Sequence, residues 1–394
     1  MSNNKARLYF IDAIRAWAIL MMLQGHFIDG LLDNAFRDNS NILFNIWKYF
    51  RGITAPVFFT VSGFIFTYLL IRVPENGWDN PRVKKGIKRG FELLIIGYVL
   101  RLNIFGLFEG EIYSSFYLVD VLHCIGLSIL GIIGIYVLTA NNKKWFFPFV
   151  LISITMLLFV FEPMYRQANF QLLPQGIANY FTKANGSVFT ILPWFGYATF
   201  GSFVSVLFVK FKNHKHLYSR AIALFLILGA TLIFYSSDFF LSLSGVTNIQ
   251  LFADIFFNNY LFIRLGDVLI VFSIFMLLRK FLTNSTLLKL GQSTLSIYVI
   301  HFIILYGTFT GLGLYGFFNH SLNPWLAVLG AIVFIISCSY FSLRYETHKS
   351  KIKERIVGMI SFARLSFERF LLVSMSILKI ISVWLLRLFG LVKN

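Results

Sequence analysis

The residues with the most informative chemistry lie in one apolar stretch near the start of the chain. The segment LYFIDAIRAWAILMMLQGHFIDGLL contains Arg15 and His26, eleven residues apart. On a helix this spacing returns to nearly the same face after about three turns, with roughly 16 Å between the two positions along the axis. Histidine titrates near neutral pH, so His26 could act as a general base or as a nucleophile. A snorkelling arginine and an interfacial histidine would give the same spacing.

Carboxylates accompany both of these residues. Asp12 precedes Arg15 by three positions, so the two can form an ion pair on one helix face. Asp29 follows His26 by three positions, where it could orient the imidazole ring and raise its basicity. We therefore expect Asp29 to belong to the same site as His26.

Other ionisable residues fall within later apolar segments, where charge is costly and function is the first hypothesis. Asp120 and His123 form either a second acid–base pair or a hydrated helix end. Arg264 and Asp267 have the spacing of an ion pair in which each neutralises the other. His301, in GQSTLSIYVIHFIILYG, faces either a cavity or a neighbouring helix, whereas His320 resembles a solvated loop residue. No His or Cys cluster has zinc spacing, so we expect no metal.

The composition of the chain predicts the fold class in which these residues lie. Of 394 residues, 57% are apolar and 13% are charged, whereas a soluble globular chain is typically about 25% charged. Membrane spans must be helical, because lipid offers no partner to an open strand edge. The sequence predicts an all-α, polytopic membrane protein with about ten transmembrane helices. The predicted spans are residues 8–30, 52–72, 91–108, 116–139, 145–161, 188–209, 219–237, 261–278, 292–310 and 325–343.

The distribution of basic residues predicts the orientation. The formal net charge is +18, and with a cytoplasmic N-terminus most of the 35 Lys and Arg fall in cytoplasmic segments. This asymmetry follows the positive-inside rule and argues against a nucleic-acid partner. We expect a bacterial inner-membrane protein with both termini in the cytoplasm. Few basic residues lie outside: Arg37, Lys48, Arg51, Arg166 and Lys183.

The C-terminal region differs from the rest of the chain. We divide the chain into a transmembrane domain, residues 1–343, and a basic cytoplasmic tail, residues 344–394. Residues 365–392 are apolar enough for an eleventh span, but that span would have to bury Lys379. On a helix all the charges of this segment share one arc, which predicts an amphipathic helix lying at the interface against anionic membrane lipid. Those charged residues are Arg364, Glu368, Arg369, Lys379, Arg387 and Lys393.

Several segments resemble one membrane-enzyme superfamily. The stretch RLYFIDAIRAWAILMMLQGHFI is similar to the first helix of the transmembrane acyltransferases, which include type-3 acyltransferases and heparan-α-glucosaminide N-acetyltransferase-like proteins. The type-3 pattern, an Arg, ten residues and a His, matches Arg15 and His26. At the start of the third span the chain departs from the type-3 pattern. Type-3 proteins carry Arg-x-x-Arg there, whereas this chain has Lys85-x-x-Lys88. Other similar pieces follow in family order: APVFFTVSGFIF, DVLHCIGLSIL, LPWFGYATFG and LGQSTLSIYVIH.

The resemblance implies an acyl-CoA-dependent transferase. An acyl group, usually acetyl, would pass from cytoplasmic acetyl-CoA to an amine or hydroxyl of an extracytoplasmic sugar, glycan or lipid. His26 would meet the thioester and the acceptor, by direct transfer or through an acyl-imidazole. Arg15 would hold a phosphate or carbonyl of the donor. The donor phosphates would bind the basic cluster, which comprises Lys84, Lys85, Lys88 and Arg89.

Three alternatives stay open at this point. The positive-inside rule alone would also place Lys and Arg in the cytoplasmic segment of the basic cluster, without any bound donor. A type-3-like enzyme would O-acylate a surface glycan or lipid. A proton-coupled transporter would line its path with Arg15, His26, Asp120 and His123. The oligomeric state is likewise open, and a homodimer is one possibility.

Overall fold

The computed structural model describes residues 8–168, 170 and 172–388, with side chains described as far as Val383. Lys393 and the side chain of Arg387 lie outside the described part. The chain divides into two units, Met1–Phe341 and Ser342–Asn394. Over the described residues the structure is helical and has no β-strand, with one parallel bridge between Leu32 and Leu322. The predicted all-α, polytopic membrane fold is confirmed.

The first half of the chain contains helices of very different lengths. Three short 3-10 helices, Asn34–Phe36, Gly77–Asp79 and Ser114–Tyr117, lie in the connections. The α-helices are α1 (Tyr9–Leu31), α2 (Ile42–Leu70), α3 (Pro81–Leu100), α4 (Ile104–Phe108), α5 (Val121–Leu138), α6 (Phe146–Val160), α7 (Glu162–Arg166) and α8 (Gln175–Ala178).

The second half repeats this mixture of long and short elements. Two further 3-10 helices are Leu278–Lys280 and Thr308–Thr310. The α-helices are α9 (Ile191–Lys210), α10 (Leu217–Thr247), α11 (Gln250–Phe257), α12 (Tyr260–Leu277), α13 (Ser285–Gln292), α14 (Thr294–Tyr306), α15 (Leu314–Phe318) and α16 (Pro324–Leu388).

Each of the ten predicted spans coincides with a helix, but not all of these helices have the length and apolarity of a span. Within the described residues seven helices meet both conditions, and α13 with α14 forms an eighth if that pair, bent by 73°, counts as one span. The other two predicted spans coincide with α3 and α6. Helix α6 has only 15 residues, and α3 begins at Pro81 and carries the basic cluster.

Asparagine caps explain where several helices begin. The side chain of Asn41 accepts hydrogen bonds from the backbone N–H groups of Leu43 and Phe44 at the start of α2. Asn80 does the same for Arg82 at the start of α3, where Pro81 occupies the first helical position. Both residue choices satisfy or remove backbone donors that a helix start leaves unpaired. As a result α2 begins ten residues earlier than the predicted span.

Close helix crossings hold the elements around the first helix. A Cβ atom on Gly63 would lie 1.9 Å from the carbonyl oxygen of Ala198, and one on Gly201 would lie 1.9 Å from that of Thr60. The backbones of α2 and α9 therefore touch at a crossing that only glycine allows. Gly291 on α13 meets the carbonyl oxygen of Asp12 on α1 in the same way, at 1.9 Å. The first two contacts fix α2 against α9, and the third fixes α13 against α1.

Within the described residues the second unit, taken by itself, is helical from Ser342 to Leu388. Nearly all of its described side chains are exposed, apolar and charged residues alike. Arg364 and Glu368, one turn apart, form an ion pair with a 2.8 Å separation between Nε and Oε1. The predicted interfacial position of this helix stays a prediction.

Candidate functional site

The first unit encloses a cavity of about 910 Å³ at one end of its helices. The lining comes from the C-terminal part of α1, the N-terminal half of α2, the end of α3, and the last turns of α14. The loops that precede α5 and α9, and the segment after α14, complete the wall. All of these lie at the end of the bundle that the charge pattern assigns to the extracytoplasmic side.

His26 faces this cavity from α1 and is half-buried. Its Nδ1 lies 3.4 Å from Nε2 of His301 and 3.4 Å from the hydroxyl oxygen of Tyr306. Among the described residues no hydrogen bond uses the other ring nitrogen, Nε2. His26 therefore presents one nitrogen to buried His301 and half-buried Tyr306 and leaves the other available to a ligand.

Asp29 has different partners from the one that the sequence suggested. Its carboxylate forms ion pairs with Arg51, in direct hydrogen-bond contact, and with Arg37, at 3.6 Å. Charge-assisted bonds to guanidinium groups are strong enough to determine the position of the carboxylate. Asp29 therefore holds the start of α2 and the loop after α1 against the cavity, and the groups that touch the His26 ring come from α14.

Asp120 and His123 meet in a capping box at the start of α5, and the Asp120 carboxylate also has a second partner. Arg101 binds the Asp120 carboxylate through two nitrogens, with 2.6 Å between Nη2 and Oδ1. The backbone N–H of Asp120 donates to Nδ1 of His123 at 3.0 Å, a bond that caps the start of α5. His123 is fully buried. Asp120 lines the cavity with Arg101, whereas His123 packs behind them against the ring of Tyr98.

Arg15 lies deeper in the first unit than the cavity reaches. Its guanidinium donates to the Thr294 hydroxyl at 3.1 Å and pairs with Asp12 at 3.8 Å, so the predicted ion pair is confirmed. Along α1 the lining, taken over the residues that the structure describes, ends at Met21, about 9 Å from Arg15 along the axis. The structure therefore places Arg15 and His26 on one helix at different levels.

The basic cluster lies at the opposite end of α3 from the cavity. Lys84, Lys85 and Lys88 are exposed, and Arg89 pairs with Glu92 at 3.0 Å. Arg101 at the end of α3 lines the cavity, and Lys84 is about 26 Å from it along the helix. The structure does not bring the cluster together with His26.

Several cavity residues were not identified from the sequence as parts of a site. His320, predicted to be a solvated loop residue, is half-buried, and its Nδ1 lies 3.1 Å from Nη2 of Arg37. Arg37, Arg51 and Lys183 all line the cavity. A signal for them was present, because all three are among the few basic residues on the predicted external side, where topology requires none.

The other in-span pair is structural. Arg264 and Asp267 are 2.9 Å apart, as predicted, and the Tyr49 hydroxyl donates to Asp267 at 2.7 Å. The Arg264 guanidinium also lies 4.4 Å from the centre of the Tyr49 ring. These contacts tie α12 to the start of α2. Over the described residues no three His, Cys, Asp or Glu side chains converge as a metal site would require.

Comparison with known protein families identifies the family of the chain. The family model for the heparan-alpha-glucosaminide N-acetyltransferase catalytic domain matches residues 7–240. No protein with a curated description matches the chain. The matched region contains His26, Arg15 and the basic cluster, whereas His301 and Tyr306 lie beyond it.

Proposed function

Because the chain belongs to the heparan-alpha-glucosaminide N-acetyltransferase catalytic family, we propose that this transmembrane acetyltransferase uses cytoplasmic acetyl-CoA to acetylate an extracytoplasmic glycan. Family membership supports a transferase over a transporter and a glycan-type acceptor over other classes. Beyond what family membership gives, we propose that acetyl-CoA is the donor for this chain, that transfer runs from the cytoplasm outward, and which residues carry it out.

The observation that carries the proposal is the position of His26. His26 lies in the wall of a cavity of about 910 Å³ that has room for a sugar acceptor, and the hydrogen bonds of its ring within the described residues use Nδ1 and not Nε2. In direct transfer, Nε2 takes the proton of an attacking amine or hydroxyl while the acceptor atom bonds to the acetyl carbon. The C–S bond of the thioester breaks, and His26 returns the proton to the departing thiolate.

A two-step route uses the same nitrogen. Nε2 of His26 bonds to the acetyl carbon and the C–S bond breaks, while the imidazole gives up its Nδ1 hydrogen and the thiolate takes up a proton and leaves as the thiol. The acceptor then attacks the acetyl-imidazole, loses its proton and restores the free imidazole. Both routes need an unprotonated Nε2 that faces the cavity.

Donor binding is assigned to the opposite end of the first unit. The exposed lysines of the basic cluster suit phosphate groups, which cannot enter hydrocarbon. Arg15, between the cluster end and the cavity, would hold a phosphate or a carbonyl of the thin pantetheine arm. In this arrangement the cluster end and both termini face the cytoplasm of a bacterial inner membrane, and the acceptor approaches from the other side.

A labelling experiment tests the proposal. Purified protein in lipid nanodiscs is incubated with acetyl-labelled acetyl-CoA, with and without a glycan-containing envelope extract. We expect label in the extract with the wild-type protein and none with His26→Gln, which keeps a polar side chain without useful basicity. Absence of both transfer and thioester hydrolysis in the wild-type protein would contradict an acetyl-CoA-dependent enzyme.

A further inference from the structure

His301 is the group closest to the ring of His26 on the side away from the cavity. It lies on α14, is completely buried, and its ring centre is 5.2 Å from that of His26. Its Nε2 is 3.4 Å from Nδ1 of His26. Burying a polar imidazole costs free energy unless it forms a hydrogen bond. Each neutral imidazole has one N–H and one acceptor nitrogen, so a hydrogen bond between the two rings determines where each hydrogen lies.

The surroundings of His301 fix its own hydrogen. Its Nδ1 makes no well-formed hydrogen bond in the described part of the chain. The backbone carbonyls of Ile297 and Tyr298, one turn earlier on the same helix, interact with the ring. Because Nε2 lies toward His26, Nδ1 is the nitrogen that can donate to these carbonyls. A nitrogen lone pair directed at carbonyl oxygens would be repelled, whereas an N–H is attracted. His301 therefore carries its hydrogen on Nδ1 and presents the lone pair of Nε2 to His26.

His26 must then supply the hydrogen between the two rings. Its Nδ1 lies 3.4 Å from the acceptor Nε2 of His301 and 3.4 Å from the hydroxyl oxygen of Tyr306, which can donate or accept. A neutral imidazole has one N–H, so a hydrogen on Nδ1 leaves Nε2 unprotonated. That nitrogen is the one left free toward the cavity.

We infer that His301 is a positioning residue for His26: it accepts the Nδ1 hydrogen of His26 and so keeps the cavity-facing Nε2 in its basic form. The inference rests on the proposed function, because a basic Nε2 matters only if His26 takes a proton or an acetyl group. In histidines generally, the hydrogen bond made by one ring nitrogen decides whether the other nitrogen is protonated.

The first test reads the hydrogen directly and needs no turnover. Protein labelled with ¹⁵N-histidine in lipid nanodiscs is studied by NMR at a pH where neutral imidazoles dominate, and the His26 signals are those lost in His26→Gln. We expect His26 to carry its hydrogen on Nδ1 in the wild-type protein. His214→Gln, a change at an exposed loop histidine, is the matched control and leaves the His26 signals in place. A hydrogen on Nε2 in the wild-type protein would overturn the inference.

The second test compares two substitutions of His301. His301→Gln keeps an acceptor oxygen near the position of Nε2, whereas His301→Phe keeps the ring volume without an acceptor. We expect His301→Gln to keep the hydrogen of His26 on Nδ1 and His301→Phe to shift it toward Nε2. An unchanged His26 signal in folded His301→Phe contradicts the inference, and so does a His301→Gln spectrum in which the hydrogen has moved.

Kinetics provide a separate readout. His301→Phe should lower kcat by about 10²-fold, less than the roughly 10⁴-fold that a wrong imidazole tautomer costs in the Ser-His-Asp triad, with little change in the KM for acetyl-CoA. His301→Gln should recover kcat to within about tenfold of the wild-type value. An equal loss of kcat in both variants would mark a packing role only. If no acetyl transfer is found with the wild-type protein, the proposed function fails, while the NMR result still decides the hydrogen position.

Discussion

The two ends of the first unit use basic residues in opposite ways. At the cavity end, Arg51 pairs with Asp29 and Arg101 pairs with Asp120, which is buried, and these residues form the cavity wall. At the cluster end, the lysines of the basic cluster are exposed on the first turns of α3. The positive-inside rule accounts for the cluster without any ligand, but it does not account for arginines on the external side. A basic residue is therefore most informative where topology does not require it.

His26 is expected to show the largest effect at the cavity end. His26→Ala should reduce acetyl transfer by about 10²- to 10⁴-fold, the usual cost of removing a general base. Donor binding, measured by equilibrium binding of acetyl-CoA, should change little, because the donor contacts are assigned to the other end. Near wild-type transfer by His26→Gln would make His26 an interfacial residue and move the search to Asp120 and its neighbours.

The two ends should also differ in how much an ion pair contributes to the free energy of unfolding. Arg101→Gln leaves the Asp120 carboxylate without its partner at a site where the two side chains are 15% and 11% exposed. We expect a loss of about 3 kcal/mol in the free energy of unfolding, as for other buried pairs that lose one member. The matched change at the cluster end, Arg89→Gln, breaks the exposed pair with Glu92 and should cost less than about 1 kcal/mol.

The double variant checks the cause of that loss. Asp120→Asn added to Arg101→Gln removes the uncompensated charge and should recover part of the stability in thermal unfolding of the detergent-solubilised protein. Equal losses from Arg101→Gln and Arg89→Gln would remove the distinction between the two ends.

Arg15 is expected to act on donor binding. Arg15→Ala should raise the KM for acetyl-CoA by about tenfold or more, as the loss of one charge-assisted hydrogen bond predicts. Arg15→Lys should restore little, because the planar fork of the guanidinium is lost. Thr294→Val removes the hydroxyl to which Arg15 donates but keeps the guanidinium, so its effect should be smaller. A fall in kcat with an unchanged KM in Arg15→Ala would contradict a role in holding the donor.

The tail is expected to give the smallest effect on transfer. Arg369→Glu with Lys379→Glu reverses two exposed charges on the predicted basic face and should weaken binding of the tail to anionic lipid. The measurement is co-sedimentation of the isolated tail peptide with vesicles that contain anionic lipid, alongside acetyl transfer by the full-length variant. Loss of transfer as large as that of His26→Ala would mean that the tail takes part in building the site.

The sequence predicted the contacts that are local along one helix. Asp12 with Arg15 and Arg264 with Asp267 are each three residues apart, so helical geometry alone brings them together. The contact between His26 and His301 joins residues 275 positions apart, and periodicity carries no information about that distance. The sequence showed two apolar helices with one histidine each, but only the packing of α14 against α1 makes them neighbours.

The start of α2 shows a second limit. Residues 42–51 contain Lys48 and Arg51, and their hydropathy argues against a membrane span. The structure makes them helical because Asn41 caps the first turn and Arg51 pairs with Asp29 on α1. This ion pair is a tertiary contact, which a count of apolar residues does not include. Asp29 shows the same limit. Its spacing from His26 predicts a partner on α1, whereas its partner Arg51 lies on α2.

The central claim is that the donor enters at the cluster end and the acceptor at the cavity end. Its most direct test uses inside-out and right-side-out membrane vesicles from cells that produce the protein, with acetyl-labelled acetyl-CoA added outside the vesicles. We predict labelled glycan only in inside-out vesicles, where the basic cluster faces the added donor, and none with His26→Gln. Equal labelling in intact right-side-out vesicles would contradict the account, because the donor would then reach His26 from the side of the cavity.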